Sequence, residues 1–273
     1  MNFPKFWAKG SVGNFVCWRW SSESLAEAQT LAIEAAQRLA DRFRAGEFLQ
    51  SHGAYYPDRP FREQVLHEIR DNAGELAAVV TRNSYGCQVL NTARAMFVDI
   101  DLPDRRPGGF LQKLFGKSRG ETQESALARI ENWSRSRPDW GWRIYRTRAG
   151  LRLLATHGPI EAGSAAADEV FDALGADPLY RKLCQTQKCF RARLTPKPWR
   201  CGVRSKPARW PWLDARQEKL FQKWEAQYQS FSFNWATCAL LSQIGNPNVH
   251  PGVQPILKLH DGATRVESSL KLA

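Results

Sequence analysis

Acidic residues are missing from two long stretches of this chain. Between Pro178 and Leu213 there is no aspartate or glutamate, yet ten cationic residues fall there: Arg181, Lys182, Lys188, Arg191, Arg193, Lys197, Arg200, Arg204, Lys206 and Arg209. Those ten carry all but two units of the formal net charge of +12. From Trp140 to Ile160 acids are again absent, while Arg143, Arg146, Arg148 and Arg152 are present. Positive charge concentrated in this way sets up a local field that attracts phosphates. Nucleic acid, nucleotides or both are therefore the expected partners. Long apolar runs are missing too. Nothing approaches the roughly 20 residues that cross a bilayer, so no membrane partner is expected. The N-terminus, MNFPKFWAKGSVGNF, lacks the apolar centre of a secretory signal, and a cytoplasmic location is the expectation. The six cysteines lack the paired short spacings of a disulfide framework and are expected to be reduced. Cys184, Cys189, Cys201 and Cys238 are separated by 4, 11 and 36 residues, which are not zinc-finger or zinc-ribbon spacings, so no zinc is expected. Internal repeats and low-complexity tracts are absent.

What is present suffices for a sizeable core: 273 residues, 43% of them hydrophobic. Phe15–Trp20 alternates as a strand. Ser24 opens an S-x-x-E capping box with Glu27. Leu25, Ala28, Ala32, Ala35, Leu39 and Phe43 then mark one helical face, and Gly46 supplies a stop. Residues 50–62 read as loop and Arg62–Asn72 as a short helix. Ala77–Thr81, Cys87–Asn91 and Ala95–Asp101 read as consecutive strands of one sheet. Residues 102–120 form a second loop. Glu121–Arg137 has helical spacing. Trp142–Arg146 and Leu151–Thr156 are two strands around a tight turn. Ser164–Leu174 and Pro178–Gln187 are helices, and Phe190–Leu194 is a strand. Leu213–Ile244 reads as one long helix with Leu220, Trp224 and Tyr228 on one side, followed by a short helix near Ile256–His260. The expected fold class is α+β: a mainly antiparallel sheet with helices packed on it and a long C-terminal helix. The expected division is an N-terminal arm over 1–76, a core over 77–200, and a basic loop with a helical segment over 201–273.

Three motifs point to chemistry. The strand AMFVDID places Asp99 and Asp101 two residues apart, on one face at its end. Two carboxylates there suit one or two Mg²⁺ or Mn²⁺ ions, because hard cations prefer oxygen. The bland alternative is a strand exit with a solvated acid. In RIYRTRAGLRLLATH, the cations Arg146, Arg148 and Arg152 surround a turn. Gly150 there allows a phosphate close to the backbone. His157 at the strand end reads as structural. In CFRARLTPKPWR, Arg191 and Arg193 share a strand face, and Lys197 and Arg200 follow a turn stiffened by Pro196 and Pro198. Trp199, Trp210 and Trp212 interleave with Arg200, Arg204 and Arg209. Rings between cations suit base stacking with phosphate contact; the alternative is that they pack on the long helix.

An acidic h-h-D-h-D strand, then a basic hairpin, then a later basic strand resembles the order of elements in archaeo-eukaryotic primase-polymerases, over about residues 77–200. The resemblance implies a small RNA-recognition-like palm, divalent metal on Asp99 and Asp101, and nucleoside triphosphate held by basic residues, with Arg148 and Gly150 matching the basic hairpin. Where that family places a histidine after the hairpin, this chain has Arg152. The family's third acid is missing from the FRARL strand, and Asp177 stands just ahead of it. Metal-dependent nucleotidyl transfer or nucleotide and nucleic-acid binding is the expected function. The alternative is a non-catalytic nucleic-acid-binding protein using residues 181–209. A D-x-D glycosyltransferase accounts for the acids but not for the basic segment.

Overall fold

The computed structural model describes residues 1–47, 60–71, 73–102 and 121–273. Most of the two loops expected over 50–62 and 102–120 lies outside the described residues. At the N-terminus, β1 (Phe6–Val12) and β2 (Phe15–Ser21) form an antiparallel hairpin beneath helix α1 (Leu25–Arg44). The Ser24 hydroxyl accepts the Glu27 N–H at 3.1 Å, as expected. The Glu27 carboxylate engages the Ser21 hydroxyl, so only half of the capping box forms. The buried face of α1 is alanine: Ala28, Ala32, Ala35, Ala36 and Ala40. Small side chains are required because the helix backbone rests on Gly10, where a Cβ would overlap Ala32 and Ile33. Leu25 and Phe43, expected on that face, are exposed.

Two four-stranded antiparallel sheets make up the rest of the framework. One has the order β3-β4-β5-β9, from Gln64–Arg70, Leu76–Arg82, Gln88–Thr92 and Phe190–Arg193. The other has the order β10-β7-β8-β6, from Cys238–Gly245, Gly141–Thr147, Gly150–Ala155 and Phe97–Asp101. Helices α2 (Gln123–Arg135), α3 (Ala165–Leu174), α4 (Pro178–Gln187), α5 (Ala215–Ser232) and α6 (Gln254–Thr264) complete the α+β architecture. The largest core is shared by strands and helices and includes Phe97, Ile130, Trp142, Leu153, Phe171 and Phe190. Burying each such side chain contributes about 1.5–3 kcal/mol relative to exposure. Among the described residues, no helix is long and apolar enough to cross a membrane.

Three expectations are corrected. Arg62–Asn72 does not form a helix; Gln64–Arg70 is strand β3, because a tight turn folds it onto β4. The Asp71 carboxylate accepts the N–H groups of Ala73 and Glu75, both at 2.9 Å, and Gly74 takes a φ of 82°. The three strands expected in one sheet are divided between two, since β4 and β5 pair with each other while β6 pairs with β8. The chain turns off between them, where the Thr92 hydroxyl accepts the N–H groups of Arg94 and Ala95 at 3.3 and 3.1 Å. The long C-terminal helix stops at Ser232, and Cys238–Gly245 becomes β10, pairing along β7. Thr237 anchors that switch, donating to the Leu194 carbonyl at 3.0 Å. Within α5 the inward residues are Phe221, Trp224 and Tyr228, while Leu220 is exposed.

Candidate functional site

Strand register sets Asp99 of β6 directly opposite Arg152 of β8. The Arg152 guanidinium donates to both Asp99 oxygens, Nε to Oδ1 at 2.8 Å and Nη2 to Oδ2 at 3.1 Å. Its Nη1 donates to the Arg193 carbonyl at 3.0 Å, which ties β8 to β9 of the other sheet. Arg152 is only 2% exposed. Burial disfavours its charge, but the Asp99 carboxylate outweighs burial and holds its pKa above the usual arginine value. Asp101 projects to the surface at the end of β6. Desolvation, then the neighbouring Asp177 and Asp99 carboxylates, raise its pKa, while Lys197 and Arg193 pull it down. Asp177 therefore does stand beside the pair. Its N–H donates to the Asp99 carbonyl at 2.9 Å, and its carboxylate caps α4 by accepting the Tyr180 N–H at 2.7 Å.

This arrangement does not fit Mg²⁺ or Mn²⁺ well. Arg152 occupies both oxygens of Asp99, and Asp177 serves a helix N-terminus. Among the described residues, no group of three or more His, Cys, Asp or Glu is placed to hold a metal ion. The reading of Gly150 is also corrected. A Cβ there would lie 2.9 Å from the Ile100 carbonyl carbon and closer still to its oxygen. The glycine is needed to admit the backbone of strand β6.

Basic residues converge on a cleft of about 430 Å³, which Asp99 and Arg152 also line. Its floor comes from β9 and β5, and its walls from Phe61–Glu63, the β4–β5 turn, the segment 206–212 and Phe221 of α5. Seven cations line it, but several are already engaged within the protein. Arg152 is held by Asp99. The Nη2 of Arg191 donates to Glu63 at 2.8 and 2.9 Å, both residues being buried. Arg82 pairs with Glu225, and Arg62 lies over the Trp18 ring at 4.0 Å. The others, Arg193, Lys206 and Arg209, form no ion pair among the described residues. The Nε of Arg193 and the Nη1 of Arg191 are buried without a hydrogen-bond partner. Burial, then Arg209, Arg62 and Arg82, push the Lys206 amine down to about 8. Aromatic residues Tyr85, Trp210 and Trp212 line the cleft together with these cations.

Of the residues marked out in the sequence, Asp99, Arg152, Arg191, Arg193 and Arg209 line the cleft. Arg146 donates to the Gly150 carbonyl at 3.2 Å, and Arg148 is exposed at the hairpin tip; neither lines it. Lys197 and Trp199 lie at the mouth beside Tyr85, with Arg200 half-buried and Arg204 exposed further along. Trp212 packs on Phe221 of α5 at 4.5 Å, so that tryptophan serves the helix contact as well as the cleft. Glu63, Arg62, Arg82 and Tyr85 escaped sequence reading. Only the Asn83–Gly86 turn signal hinted at Tyr85. His157 stacks on Trp140 at 4.1 Å, away from the cleft. All six cysteines are free thiols and five are buried. Fold and site thus define an α+β protein of two antiparallel sheets with a cationic, aromatic-lined cleft. Comparison with family models, curated proteins and solved structures gave no match to set beside it.

Proposed function

We propose that this cleft binds the phosphates of a nucleotide or nucleic-acid strand. The observation that carries the proposal is the charge surplus: among the described residues, Arg193, Lys206 and Arg209 of the cleft lining form no ion pair with a carboxylate. Cations without a carboxylate partner can give charge-assisted hydrogen bonds to phosphate oxygens, which are roughly twice as strong as neutral ones. Binding should be strongly salt-dependent. If about four phosphates are neutralised on a single strand, raising salt from about 50 to 200 mM weakens affinity roughly 50-fold. Arg193→Ala should weaken binding roughly tenfold and flatten the salt slope by about one unit. Fluorescence anisotropy across a salt series measures both. An affinity insensitive to salt, or untouched by Arg193→Ala, would remove the cleft from consideration.

Lys206 adds a pH signature. A lysine at about 8 is charged below that pH and loses its proton above it. A bound phosphate favours the charged form and raises the pKa again, so binding takes up a proton. Affinity should be full below pH 8 and fall as pH rises through 8 to 9. Lys206→Arg, which stays charged, should keep its affinity over that range. Equal pH profiles for the two proteins would count against Lys206 as a phosphate ligand.

A second reading is nucleotidyl transfer with Mg²⁺ or Mn²⁺ on Asp99 and Asp101, as the resemblance to primase-polymerases implies. Asp99 and Asp177 stand close enough to Asp101 for their charges to raise its pKa, and that proximity favours it, although no three such groups among the described residues are placed to hold a metal ion. It requires Arg152 to release Asp99. Mn²⁺ binding lost in Asp101→Ala, together with primer synthesis or extension, would support it. Neither activity in the intact protein would retire it.

A further inference from the structure

We propose that the ligand of the cleft is a single-stranded nucleic acid, with a base leaving the cleft to stack on Tyr85 and Trp199. This rests on the phosphate-binding reading above and names its substrate class.

Tyr85 and Trp199 are 43% and 54% exposed. Their rings stand edge to face, 5.3 Å between centroids at 81°. The pair is held in place from both sides. The Asn83 side chain accepts the N–H groups of Tyr85 at 2.9 Å and Cys87 at 3.1 Å, fixing the β4–β5 turn. Gly86 in that turn has a φ of 90° and lies against Trp224 of α5; a Cβ would come within 2.5 Å of that ring. Trp199 sits in the single 3₁₀ turn Pro198–Arg200. A rigid aromatic surface costs little entropy when a base settles on it.

Charge selects the occupant. The Lys197 amine lies 5.4 Å from the Trp199 centroid and 6.0 Å from that of Tyr85. The segment carrying Trp199 has no acid between Pro178 and Leu213 to repel a phosphate. Tyr85 also lines the cleft, so the stacking surface and the cations Arg193 and Lys206 are contiguous. Exposed rings beside cations suit the bases and phosphates of a strand. Bases inside a duplex are already stacked on each other and cannot reach a protein ring, which selects single strands. An apolar peptide would leave the cations unanswered.

Anisotropy titrations of labelled single-stranded oligonucleotides of increasing length, the matched duplex, inorganic triphosphate and polyglutamate test this. The variants are Trp199→Ala, Trp199→Phe, Tyr85→Ala and Arg193→Ala. Affinity is expected to rise with strand length over the first few nucleotides. Trp199→Ala and Tyr85→Ala should each weaken strand binding roughly tenfold; Trp199→Ala, which lies outside the cleft lining, should leave triphosphate binding unchanged and be largely rescued by Trp199→Phe. Duplex or polyglutamate bound as tightly as the single strand would overturn the proposal, as would unchanged strand binding in both alanine variants. If triphosphate binds and strands do not, this inference falls while the cleft reading stands. If Arg193→Ala alters neither ligand, the cleft reading itself fails.

Discussion

Replacing Arg152 with alanine is expected to destabilise the protein by about 2–4 kcal/mol, because it removes the buried partner of an ion pair and leaves Asp99, whose side chain is 30% exposed, only partly solvated. Arg152 donates four hydrogen bonds, two to Asp99, one across to the Arg193 carbonyl and a weaker one to the Cys238 sulfur. Its loss leaves the Asp99 carboxylate without a counter-ion and the Arg193 carbonyl without its donor. For a chain of this size the fall in Tm should be roughly 10 °C. Arg152→Lys should recover only part of the loss, since an ammonium cannot donate the planar fork that grips both oxygens. Removing both charges together, as in Arg152→Met with Asp99→Asn, should cost less than Arg152→Ala alone. Urea unfolding of the four proteins decides the matter. A loss under about 1 kcal/mol for Arg152→Ala would mean that water already screens the pair.

The second large effect is expected at Gly150. Alanine there would drive a methyl group into the backbone of the adjacent strand, 2.9 Å from the Ile100 carbonyl carbon and 3.1 Å from the Asp101 Cα. Neither atom belongs to a side chain that could rotate away. Strands β6 and β8 would have to part where Gly150 faces Asp101, two register positions from Asp99 and Arg152. The expected loss is at least about 3 kcal/mol, at the upper end for overpacked sites. Gly158→Ala is the matched control. Nothing lies within 4 Å of a Cβ built there, so its effect should stay within about 0.5 kcal/mol. Similar unfolding curves for the two variants would show that the β6–β8 spacing yields more readily than its close fit implies.

How much of the molecule could be read in advance depends on how local the cause was. The starts of α1, α3 and α4 follow from Ser24, Ser164 and Asp177, whose side chains each accept an N–H two or three residues on. The β7–β8 hairpin follows from its Thr-Arg-Ala-Gly turn. Strands β3 and β10 were misread as helix because their apolar residues also satisfy a helical period. What makes them strands is pairing with β4 and β7, the latter about a hundred residues away in sequence. The candidate site divides in the same manner. Asp99 and the arginines of β9 were visible as residue types in strands. That Arg152 would neutralise Asp99 depends on register, and that Glu63 would neutralise Arg191 depends on a contact spanning 128 residues.

From its order of residues alone, this protein was bound to be a basic α+β chain with cations gathered in one acid-free segment, because composition and short-range periodicity carry that information. Tertiary structure alone decided which of those cations keep their charge available. Ion pairing acts over a few ångströms in space, and only folding brings Asp99 to Arg152 and Glu63 to Arg191 while leaving Arg193, Lys206 and Arg209 facing an open cleft.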